Sequence, residues 1–172
     1  DVYALDGVRR IGRSIETAVR DGQNRAARAD VMLGALYGGL CLGPVNTAAV
    51  HALSYPLGGE YRVPHGVANS LLLTHVFRFN LPAMPGRYAD LAVALGCPRA
   101  ATDLATAEAG LRRLEDLARD CGIPRCLRDV GVPESDLPRL ATEAIKVTRL
   151  LRNNPRDLTA ADAEQIYRAA YA

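Results

Sequence analysis

Apolar residues recur at three- and four-residue intervals along almost the whole chain, and this helical period constrains the fold more than any other feature. Val8, Ile11, Ile15 and Val19 mark one amphipathic stretch, closed by Asp21-Gly22. Asn24 is placed to cap a second stretch through Val31, Leu33, Leu36 and Leu40, in which Gly34, Gly38 and Gly39 permit close helix contact. Gly43-Pro44 predicts its end, and Asn46 is expected to cap a third helix carrying Ala49, Val50, His51, Leu53 and Tyr55. The segment from Pro56 to Pro64, with Gly58-Gly59 inside it, predicts a loop. Pro64 then suits the first turn of a helix from His65 to Phe79, where its missing N–H costs nothing. Further helical patterns run through Tyr88, Leu91 and Leu95, through Leu104, Leu111 and Leu117, and from Asp136 to Leu151. Thr159 and Asp162 form a capping-box variant that opens the last helix, through Ile166, Tyr167 and Tyr171. Strand alternation is nearly absent. The expectation is an all-α domain of seven or eight helices over residues 1–172.

Apolar residues make up 49% of the 172 residues and charged residues 23%, enough for a sizeable core and against disorder. The net charge of +2 argues against a nucleic-acid partner. No apolar run reaches the roughly 18 to 20 residues that span a bilayer. Asp1, Asp6, Arg9 and Arg10 at the amino end do not fit a signal peptide. Cys41, Cys97, Cys121 and Cys126 form no C-x-x-C pair and are expected to be reduced thiols of a cytoplasmic protein.

All three histidines fall between residues 51 and 75. His51 precedes the Gly-Gly segment and His65 follows it, so a helix-loop-helix can bring two imidazoles to one point, as a metal site requires. Spacing alone favours the plainer alternative, that each is a satisfied core or capping residue. His75 lies ten residues after His65, about 80° around a helix, and is expected to be structural. Gly58-Gly59 admits either a close ligand or a simple tight turn, and the turn is preferred. Arg149, Arg152, Asn153 and Asn154 read more readily as a solvated face than as an acid-binding group. The interleaved Glu115, Asp116, Asp120, Arg112, Arg113 and Arg119 read as an exposed helix face.

The run from Val50 to Asn80, VHALSYPLGGEYRVPHGVANSLLLTHVFRFN, carries the stronger signal. It resembles the signature of the iron-containing (group III) alcohol dehydrogenases, V-H-x-x-x-H-P-L-G-G followed by P-H-G-x-x-N/A and L-P-H-x-x-x-x-N. Gly122-Ile123-Pro124, Leu127 to Val132, Asn154-Pro155-Arg156 and Ile166-Tyr167 extend the resemblance over the chain. The implied architecture is the carboxy-terminal helical domain of such an enzyme.

The resemblance implies that His51 and His65 are two protein ligands of a catalytic divalent metal, Fe²⁺ or Zn²⁺. That metal acts as a Lewis acid on the substrate hydroxyl while hydride passes to NAD⁺ or NADP⁺. The family's other two ligands, an Asp and a His four residues on, have no counterpart here, nor has its Gly-Gly-Gly-Ser phosphate loop. The expected partners are therefore an alcohol or aldehyde substrate and an amino-terminal nucleotide-binding domain outside this chain, with a homo-oligomer compatible. The isolated chain is expected to be inactive. Tyr55 stands where many members carry a His near the nicotinamide, and is the candidate catalytic residue. A phenol is a poorer proton shuttle than imidazole at neutral pH. Thr74 replaces the usual Pro before His75. The PHGVAN segment favours the alcohol dehydrogenase branch over maleylacetate reductases. A non-catalytic helical interaction module derived from the family is the competing expectation.

Overall fold

A computed structural model describes all residues from Asp1 to Ala172, and every regular element in it is helical. The α-helices are α1 (Val2–Arg20), α2 (Arg25–Val45), α3 (Ala49–Tyr61), α4 (His65–Asn80), α5 (Pro85–Ala94), α6 (Asp103–Asp120), α7 (Leu137–Ala144), α8 (Thr148–Leu151) and α9 (Ala160–Ala169). Short 3-10 turns cover Leu81–Ala83, Leu127–Val130 and Glu134–Asp136. The all-α expectation holds, with nine α-helices in place of the seven or eight expected. No single helix is long and apolar enough to cross a membrane. All four cysteines are free, and burial pushes the Cys97 and Cys121 thiols up, which keeps them protonated.

The packing divides into two compact units. The first comprises Asp1–Asn46 and Met84–Gly122, with α1, α2, α5 and α6. Asn24 caps α2 by accepting from the Ala27 N–H, as its place in the sequence predicts. At Gly34 an added Cβ would lie 2.9 Å from the Gly7 carbonyl oxygen and 2.7 Å from Ile11 Cγ1, so α1 and α2 meet backbone to backbone there. Gly38 and Gly39 face open space and serve no such contact. Asp30 accepts from Arg10, Arg13 and Ser14 across the same pair, and these donors, Arg13 foremost, hold its carboxyl down at about 2. The expected apolar stripe on α2 is only partly buried. Leu36 and Leu40 are 56% and 54% exposed, and Met32 on the same face is 70% exposed. The acidic residues of α6 form the predicted charged face, with Arg119 paired to Asp116 and Asp120.

The second unit comprises Thr47–Ala83 and Ile123–Ala172 and holds α3, α4, α7, α8 and α9. Its core includes Leu53, Leu57, Leu72, Val76, Leu127, Leu137, Leu140 and Tyr167. The Tyr167 hydroxyl on α9 donates to the Leu53 carbonyl on α3 at 2.5 Å, which satisfies the one polar atom of a buried ring. The Tyr61 hydroxyl at the end of α3 donates to Asp136, and burial together with that carboxylate pushes the phenol up to about 12. Thr159 and Asp162 make the full capping box of α9.

Four local expectations are corrected. Pro44 does not end α2, which continues to Val45 and stops at Asn46, whose positive φ of 66° leaves the helix. Asn46 therefore closes α2 instead of capping α3, whose cap position is Ala48. The predicted loop from Pro56 is helix: α3 runs through Pro56, Gly58 and Gly59 to Tyr61. Proline removes one intrahelical donor, and the surrounding core, with Leu53 and Leu57 fully buried, holds the helix together across it. Asp136 to Leu151 is not one helix. It breaks at Lys146 and Val147, where i→i+3 bonds to Glu143 and Ala144 tighten the end of α7.

Candidate metal centre

The second unit brings His51 and His65 together through the ends of α3 and α4. α3 stops at Arg62, in left-handed conformation at φ 55°, and both the Arg62 and Val63 N–H groups turn back to the Leu57 carbonyl. The segment so reversed delivers His65 as the first residue of α4. Its ring centroid lies 5.2 Å from that of His51, with the planes inclined at 56°. The third histidine does not join them: no group of three His, Cys, Asp or Glu side chains is placed to hold a metal ion, and His75 sits half-buried along α4.

A third side chain joins the pair. Asn69 follows His65 by four residues and so stands one turn along the same helix face. Its amide Nδ2 lies 2.9 Å from His65 Nε2 and 3.5 Å from His51 Nε2, so both ring nitrogens face one point. The Asn69 carbonyl oxygen is buried without a hydrogen-bond partner. Asn69 was not singled out from the sequence. The P-H-G-x-x-N spacing is the signal that could have found it.

Burial, followed by the neighbouring His65, lowers the His51 pKa below its ordinary 6.5 and favours the neutral imidazole that a metal needs. The donor chemistry fits a divalent transition metal. Two imidazole nitrogens converge where the amide donor now stands, and nitrogens sharing one ion at about 2.0–2.1 Å each must lie within about 4 Å of one another. They supply half of a four-coordinate set.

Tyr55 sits one turn after His51 on α3, its ring 6.5 Å from that of His65. It is 40% exposed, whereas Leu53 and Leu57 beside it in sequence are fully buried. Arg149 on α8 donates to its hydroxyl at 3.4 Å. Two of the residues grouped with Arg149 in the sequence have separate roles. Asn153 donates to the Thr47 carbonyl, while Asn154 exchanges two amide hydrogen bonds with buried Asn80 at 2.8 and 2.9 Å. Gly58 and Gly59 leave open space or ordinary contact around an added Cβ, so no close approach requires them in this chain.

Residues 1–171 match the model of the Fe-containing alcohol dehydrogenase family, C-terminal part. The chain belongs to this family. Among its relatives, a long-chain-alcohol dehydrogenase 1 of Geobacillus thermodenitrificans is 39% identical over 175 residues, covering 100% of this chain and 44% of that protein. A 1,3-propanediol dehydrogenase of Klebsiella pneumoniae is 40% identical over 109 residues, 63% of this chain and 28% of that protein. The crystal structure of a 1,3-propanediol oxidoreductase superposes with a TM-score of 0.96 at 38% identity, covering 99% of this chain and 45% of that one. This member of the iron-containing dehydrogenases thus spans less than half the length of the relatives it matches from end to end.

Proposed function

We propose that this chain is the metal-binding half of an NAD- or NADP-linked alcohol dehydrogenase, which interconverts a small alcohol and its aldehyde or ketone in the cytoplasm. The observation that carries the reading is the convergence of His51 Nε2 and His65 Nε2 on one point beside an exposed Tyr55. In the complete enzyme a nucleotide-binding domain supplies the remaining ligands and the dinucleotide site, in keeping with relatives more than twice as long.

His51 and His65 would hold the cation, Fe²⁺ or Zn²⁺, with the Tyr55 ring beside that of His65. Lewis acidity toward the substrate hydroxyl comes from that cation, and the hydride acceptor is the nicotinamide. Tyr55 bounds the substrate side with its ring and offers a hydroxyl that accepts from Arg149 and has its own proton to donate. The ligand roles are tested by steady-state turnover of a primary alcohol in the full-length protein. His51→Ala and His65→Ala are expected to abolish metal-dependent turnover, and His75→Ala to retain it. Equal activity in all three correctly folded variants would remove the assignment.

A further inference from the structure

We propose that Asn69 is a positioning residue of this centre: its amide sets His51 and His65 as Nδ1–H tautomers, with both Nε2 lone pairs aimed at the position the cation takes. This rests on the reading of the two histidines as ligands.

An amide nitrogen only donates, and a neutral imidazole has one donor and one acceptor nitrogen. With Asn69 Nδ2 at 2.9 Å from His65 Nε2 and 3.5 Å from His51 Nε2, both Nε2 atoms accept and the ring protons reside on Nδ1. Neutral imidazole in water favours the opposite tautomer, in which a proton closes Nε2 to a metal. The Asn69 N–H group thus holds both Nε2 atoms unprotonated, and a cation binding them takes its place. In this orientation the carboxamide bonds to the two imidazoles through its nitrogen, while its buried carbonyl oxygen has no partner. An arriving cation displaces those contacts and breaks no other hydrogen bond of the carboxamide. The four-residue spacing from His65 makes the arrangement a property of the α4 face.

The test is long-range ¹H–¹⁵N correlation spectroscopy of the ¹⁵N-histidine-labelled chain, at a pH where all imidazoles are neutral. His51 and His65 are expected as Nδ1–H tautomers. Asn69→Leu, which offers no donor, and Asn69→Asp, which offers only an acceptor, should shift both toward Nε2–H while circular dichroism stays unchanged. In the full-length protein, Asn69→Leu should leave Co²⁺ affinity undiminished, because the cation displaces the amide and no contact of the bound state is lost; a loss of affinity would contradict that displacement. Nε2–H tautomers in the unsubstituted chain would overturn the proposal. Unchanged tautomers in both variants would do the same, and if His51→Ala still loses Co²⁺ the ligand assignment survives. Undiminished Co²⁺ binding in His51→Ala and His65→Ala would remove the ligand assignment and the role of Asn69 with it.

Discussion

His51 combines partial burial with a neighbouring imidazole, and both favour its neutral form. The pH consequence follows from proton counting. The unfolded chain binds a proton at the ordinary value of 6.5, while the folded chain resists it until lower pH. Stability is therefore fully present above that value and falls as pH drops through the lowered one. Urea denaturation between neutral and mildly acidic pH should show this decline, and His51→Gln should flatten it. Tyr55 is the second residue whose surroundings yield a prediction. Because its ring is 40% exposed, Tyr55→Phe should change stability by no more than about 0.5 kcal/mol. In the full-length enzyme the same variant should keep its metal and lower turnover modestly. Tyr55→His should shift the pH–rate profile toward the imidazole range. Unchanged kinetics and pH dependence in both variants would leave the phenol without a part in the reaction.

Among the elements, the end of α4 is anchored to the segment before α9 by the reciprocal Asn80–Asn154 amides. Asn154→Ala would leave the buried Asn80 amide unpaired and should cost about 1–3 kcal/mol in chemical denaturation. The caps at Asn24 and Thr159 and the overall run of helices were legible because side-chain caps and helical spacing act within a few residues. Pro56 was misleading for a definite reason. Local rules weigh its missing donor against the helix, whereas the packing of Leu53 and Leu57 that outweighs it involves residues distant in sequence. Asn46 likewise has the chemistry of an N-cap, and only its backbone conformation shows that it ends α2. The break after Ala144 carries no Gly or Pro and could not be located from the sequence. The two histidines were legible through the motif around them. Asn69 carried a signal in the P-H-G-x-x-N spacing, but that its amide faces two ring nitrogens is set by the packing of α3 against α4 and is not written in the spacing.

At the scale of the whole molecule, the chain contributes two converging imidazoles and no third His, Cys, Asp or Glu to complete a set. The isolated 172-residue chain, supplied with Fe²⁺ and either dinucleotide, should therefore show no alcohol oxidation in a steady-state assay. Metal-dependent turnover would contradict this. The central claim is that His51 and His65 are the metal ligands this chain provides. Metal content of the purified full-length protein by plasma mass spectrometry tests it most directly. His51→Ala and His65→Ala should each lose the bound metal, while His75→Ala, folded to the same extent, retains it. Full metal occupancy in either of the first two variants, or equal loss in all three, would contradict the account.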